Sequence, residues 1–138
     1  MYIFSNIELL LMLNDIGVLT NSSVDIFVTD IALDFKGFKY QVKEKLKCLI
    51  NSKSSVNTFT LGEDFFKFAL KQQIKYKGLD IMAFACIYYA KTKNGFLVTS
   101  NPTTKKCAIE NGVSVSEIRD VIINISKEEK YVEFLLNK

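Results

Sequence analysis

Short apolar runs alternate with stretches of helical spacing along all 138 residues. Tyr2–Phe4, Val24–Thr29, Val56–Leu61, Phe96–Thr99 and Val113–Val115 are rich in β-branched and aromatic side chains, which suit a pleated strand. Short apolar strands separated by helices imply a parallel sheet covered on both faces, because each crossover lays a helix against the sheet. The pattern predicts an α/β fold. No repeat, low-complexity tract or linker interrupts it, and the only proline is Pro102. Residues 1–138 therefore read as one domain.

The helices carry their own signals. Ser5-x-x-Glu8 and Thr60-x-x-Glu63 have the capping-box spacing, in which the first hydroxyl accepts the N–H three residues on. The first predicts a helix with Leu9, Leu10 and Leu13 turned inward. The second predicts one with Phe65, Phe66, Ala69 and Leu70 as its core face. Apolar residues from Asp30 to Ile50 recur near helical spacing, with Gly37 dividing them into two helices. Leu79–Lys91 is apolar nearly all round, which predicts deep burial, and Asn94-Gly95 ends it. Asn101-Pro102 opens a further helix, with Asn as N-cap and Pro at the first helical position, running to Asn111-Gly112. Two last helices are expected over Ser116–Ile125 and Ser126–Leu136.

Composition limits the chemistry. There is no histidine, which removes Ser-His-Asp and Cys-His catalysis and every imidazole-held metal. Carboxylates, Lys, Tyr, Cys, hydroxyls or an oxygen-held metal remain. Cys48, Cys86 and Cys107 form no C-x-x-C and read as small buried hydrophobes in a reducing compartment. The first 35 residues contain no Lys or Arg, so a signal peptide's basic region is missing, and Leu9–Leu13 falls far short of the ~20 apolar residues of a membrane span. The expectation is a cytoplasmic protein without membrane contact.

The net charge of +3 hides a strong asymmetry. Residues 1–35 carry five acids and no bases, for −5. Residues 36–77 carry ten Lys and three acids, for +7. A basic block of this kind is either solvated surface or a footprint for phosphate. Lys36, Lys39, Lys43, Lys75 and Lys77 are its candidate RNA contacts, with Tyr40 and Tyr76 as candidate stacking rings.

In open parallel sheets, ligands bind beyond the carboxyl ends of the strands. The residues just after the strands are Ser5 and Asn6, Asp30 to Asp34, and Ser100 and Asn101. The glycines are scattered and form no phosphate loop, so P-loop and dinucleotide sites are excluded. Asp30 and Asp34 lie four apart and can share a helix face, while Asp80 opens the apolar helix. Each also has a purely structural reading: Asp30 as an N-cap, Asp34 as surface, Asp80 as a complement to the helix dipole.

The order of these features resembles a PIN domain. The resemblance is carried by Gly78-Leu79-Asp80-Ile81-Met82-Ala83-Phe84-Ala85, Ala90, Phe96-Leu97-Val98-Thr99-Ser100-Asn101, Ala108 and Gly112-Val113. Upstream, Ile3-Phe4-Ser5-Asn6 and Val28-Thr29-Asp30 through Asp34 are similar to that family's first strand and its second strand and helix. The likeness covers residues 1–125 and leaves 126–138 as an additional C-terminal helix. It implies a three-layer α/β/α sandwich with a mostly parallel sheet of four or five short strands. It also implies a metal-dependent ribonuclease, often the toxin of a toxin–antitoxin pair, in which three or four carboxylates hold Mg²⁺ or Mn²⁺. Such an ion activates water and stabilises charge on the phosphate.

Mapped onto this chain, Asp34 and Asp80 match acidic positions of the family, but Ser5 and Asn101 stand where two more are expected. Ser and Asn keep an N-cap and drop the charge. The expectation is a PIN-like domain, catalytically impaired or inactive, that binds RNA or a protein partner. The alternative is an active Mg²⁺- or Mn²⁺-dependent ribonuclease using Asp34 and Asp80, with Glu8 and Asp30 as further ligands. The apolar end Tyr131, Val132, Phe134, Leu135 and Leu136 either packs on the domain or forms a homodimer contact.

Overall fold

Among the described residues, five parallel strands in the order β3-β2-β1-β4-β5 make the sheet. They are β1 (Tyr2–Phe4), β2 (Ile26–Thr29), β3 (Val56–Phe59), β4 (Phe96–Val98) and β5 (Ser114–Ser116). The helices are α1 (Ile7–Asp15), α2 (Ile31–Asp34), α3 (Tyr40–Asn51), α4 (Glu63–Lys75), α5 (Ile81–Lys93), α6 (Pro102–Glu110) and α7 (Ile118–Ile125). The structure, a computed structural model, describes residues 1–15, 17, 25–51 and 56–125. Val24 and the expected helix over Ser126–Leu136 lie outside the described residues.

The strand period of two sorts the side chains into two cores. Phe4, Ile26, Val28, Val56 and Val98 face one way, onto Leu10 and Leu13 of α1, Leu46 and Leu49 of α3, and Val121 and Ile122 of α7. Their neighbours Ile3, Phe59 and Leu97 face the other way, onto Phe65 of α4, the buried run of α5, and Cys107 and Ala108 of α6. The result is a three-layer α/β/α sandwich. Register is held by this division, since a slip of one residue would exchange the two faces. Among the described residues no helix is long and apolar enough to cross a membrane.

Helix α5 is buried from Met82 to Ile87, as its all-round hydropathy predicts. It ends at Asn94 in the left-handed region (φ 54°), and α6 ends before Gly112 (φ 75°), where a glycine is free of Cβ strain. Gly37 does separate α2 from α3.

Both predicted capping boxes are corrected. Helix α1 starts at Ile7, so Asn6 is its cap, and Asn6 Oδ1 accepts the Leu9 N–H at 3.0 Å. Helix α4 starts at Glu63, which places Thr60 too far upstream to cap it; Gly62 is the cap residue, and the Thr60 hydroxyl donates to Asp30 at 2.7 Å. The inward face of α4 is rotated from the one expected. Phe65 is buried and Phe68 and Ala69 are half-buried, whereas Phe66 and Leu70 are exposed. Phe65 and Phe68 both pack on Tyr88 of α5, at 5.8 and 5.2 Å between ring centroids, and that contact sets the rotation. Of the cysteines, Cys86 and Cys107 are buried as expected, but Cys48 is exposed on α3.

Candidate functional site

The carboxyl ends of β1 and β4 open into a cleft of about 340 Å³. Three helices begin there. Asn6 caps α1, Asp80 caps α5 and Asn101 caps α6, and all three residues line the cleft. Each cap is explicit. Asp80 Oδ1 accepts the Ala83 N–H at 2.9 Å. Asn101 Oδ1 accepts from Thr103 and Thr104, both at 3.0 Å, and its own N–H donates to the Thr99 hydroxyl at 3.1 Å. The positive ends of three helix dipoles therefore meet at one opening, which favours an anion.

Ser5 does a different job from the one its sequence context predicts. Its half-buried hydroxyl donates to the Val98 carbonyl at 3.2 Å, tying the end of β1 to the end of β4. It is a clamp between the two central strands, and Asn6 takes the cap.

Of the residues singled out in sequence, the fold brings Ser5, Glu8, Asp80 and Asn101 to this cleft. Asp34 ends α2, is exposed, and is not part of the lining, although the next residue, Phe35, is. Asp30 is not a side-chain cap; its carboxylate accepts from Thr60 beside the end of β3, outside the lining. Among the described residues the cleft thus holds two carboxylates, Glu8 and Asp80. The Asn101 carbonyl and one Asp80 oxygen are already committed to helix N–H groups. Among the described residues no group of three or more acidic or cysteine side chains is placed to hold a metal ion. The residues present do not make up the three- or four-carboxylate centre that the resemblance implies.

Phe35 and Phe38 form the outer wall, edge to face at 5.2 Å. In sequence they belong to the helically spaced apolar residues between Asp30 and Ile50, and they do pack against the core shared by α1 and α3. Their position on either side of the Gly37 break was the available signal that they also rim an opening.

The basic block divides around this wall. Lys36 and Lys39 are exposed beside Phe35 and Phe38, and Tyr40 is 74% exposed at the start of α3. Lys43 is half-buried. Lys77 is exposed and directly precedes Gly78 of the lining. Lys75 is engaged by Glu110 at 3.1 Å. Tyr76 is a correction: it is buried, its hydroxyl donates to Glu110, and it offers no stacking face.

Beneath the cleft, the Cys86 thiol donates to the Phe4 carbonyl at 3.7 Å. Burial, with the Asp80 carboxylate adding to it, pushes this thiol up to about 12. It stays protonated and is no nucleophile.

No family model matches the chain, and no curated protein matches it. Among solved structures the chain is similar to the crystal structure of PAE2754 from Pyrobaculum aerophilum. The TM-score is 0.54 at 13% sequence identity, covering 90% of this chain and 95% of that one. The likeness bears on the fold alone.

Proposed function

We propose that this chain is a PIN-like domain that binds single-stranded RNA in the cleft without a metal ion and leaves it uncut. One observation carries the reading: three capped helix N-termini meet at an opening where, among the described residues, two carboxylates remain. An opening lined by four acids repels phosphate until a cation enters. With Ser5 and Asn101 neutral, two fewer negative charges oppose a phosphodiester at an opening where the positive ends of three helix dipoles meet. Lys36, Lys39 and Lys77 add positive charge beside the opening, and Tyr40 offers an exposed ring. The half-buried Phe35 and Phe38 give a base an apolar edge to rest against.

Fluorescence anisotropy with a labelled RNA oligonucleotide tests this. Binding is expected in EDTA, unchanged by Mn²⁺, with the RNA intact on a gel. The logarithm of affinity should fall with the logarithm of salt by about 0.7 per phosphate contacted. Lys36→Glu with Lys39→Glu should weaken binding at least tenfold and flatten that slope. No binding in EDTA would refute the proposal. Mn²⁺-dependent cleavage lost in Asp80→Asn would replace it with the ribonuclease reading.

A further inference from the structure

Three threonines are buried among the described residues: Thr29, Thr99 and Thr104, which are 2%, 3% and 4% exposed. Two of them have a local explanation. The Thr29 hydroxyl accepts the Ile31 N–H at 3.3 Å and the Thr99 hydroxyl accepts the Asn101 N–H at 3.1 Å, so each closes the turn that follows its strand. Thr104 has no such role. It stands in the first turn of α6, where its N–H is taken by Asn101 Oδ1 at 3.0 Å, and its hydroxyl has no hydrogen-bond partner among the described residues. A buried hydroxyl without a partner costs stability, and native folds hold few of them. Thr104 also lines the cleft, which makes a bound molecule the partner available to it.

Taking the cleft as an RNA site, we infer that Thr104 and Asp80 together bind the ribose 2′-hydroxyl and so make the site prefer RNA to DNA. The chemistry of the two side chains chooses this group over a phosphate. Asp80 Oδ1 is committed to the Ala83 N–H, while its second oxygen has no partner among the described residues and can only accept. The Thr104 hydroxyl can donate. A group held by both must therefore accept once and donate once. A hydroxyl does this. A phosphate oxygen only accepts, and at this depth it would meet the charges of Asp80 and Glu8, which line the same opening. The 2′-hydroxyl recurs at every nucleotide of RNA and is missing from DNA. The phosphates then stay at the rim, beside Lys36, Lys39 and Lys77, and the sugar edge turns inward.

Fluorescence anisotropy in EDTA with labelled oligouridine and oligodeoxyuridine of equal length isolates the sugar, because the bases are identical. The wild type should bind the RNA about tenfold more tightly, the worth of one hydrogen bond to a charged acceptor. Oligouridine methylated at every 2′-oxygen cannot donate to Asp80 and should bind no better than the DNA. Thr104→Val keeps the shape of the side chain and removes the hydroxyl, so its RNA affinity should fall to within about twofold of its DNA affinity. Thr104→Ser keeps the hydroxyl and should keep the preference. Thr104→Val should also melt no lower than the wild type, because no bond within the protein is lost. Equal binding of RNA and DNA by the wild type would overturn the inference and leave the cleft as an RNA site. Binding of neither would remove both readings. A Thr104→Val protein that keeps the preference, or that melts lower, would show that the hydroxyl serves the fold and not a ligand.

Discussion

Placing a carboxylate at Ser5 and at Asn101 makes the same chemical change at two points of one cleft, and the structure predicts different results. Asn101 Oδ1 already accepts two α6 N–H groups at 3.0 Å. Asp presents an oxygen at the same place and adds a charge that the helix N-terminus favours by about 0.3–1 kcal/mol at low salt. Repulsion from Asp80 and Glu8 takes back part of that, so Asn101→Asp should be neutral to mildly stabilising. Ser5 is a donor. Its hydroxyl meets the Val98 carbonyl at 3.2 Å in a half-buried place, and an ionised Asp has no hydrogen to give. Two acceptors then face each other, at a cost of about 1–3 kcal/mol. For a chain of this size 1 kcal/mol moves Tm by about 4 °C. Ser5→Asp should thus melt about 4–12 °C lower, and Asn101→Asp within about 4 °C of wild type. Scanning calorimetry at low and moderate salt measures both, and the Asn101→Asp gain should fade as salt rises. Equal destabilisation by the two variants, or a neutral Ser5→Asp, would refute the assignment of Ser5 as clamp and Asn101 as cap.

Two further results are expected. Asp80→Ala removes the acceptor for the Ala83 N–H and should lower stability by about 1 kcal/mol in urea titrations, while Asp80→Asn, an equally good cap, should lose only the few tenths due to charge. Stability should also fall above pH 9 because of Cys86. The unfolded thiol ionises near 9.0 and the buried one only near 12, so the contribution is complete below pH 9 and is lost as pH rises toward 12, by up to about 1.4 kcal/mol per pH unit. Denaturation at pH 8 and pH 10 should show that loss in the wild type and a smaller one in Cys86→Ala; identical slopes would count against it.

The strand–helix alternation and the depth of α5 were legible because they rest on local periodicity and on hydropathy, which a chain carries regardless of its partners. Asn101-Pro102 was legible for a similar reason, since cap and first-turn chemistry are settled within four residues. The capping boxes at Ser5 and Thr60 misled because spacing alone does not say where a helix starts. One hydroxyl found the Val98 carbonyl 93 residues away, and the other found Asp30 at the end of the neighbouring strand. The face of α4 was also undecidable in sequence, because Phe occurs on both sides of it, and Tyr88 of α5 selects one.

The sequence by itself determined the fold class and the chemistry that is excluded, since a parallel sheet follows from alternation and the loss of imidazole from composition. Tertiary structure decided which acids meet. Asp34 and Asp80 were paired in sequence as equals, yet Asp80 lines the cleft with Glu8 while Asp34 stands outside it. That outcome depends on how the end of α2 and the Gly37 break turn against the sheet, and packing between distant segments controls that turn.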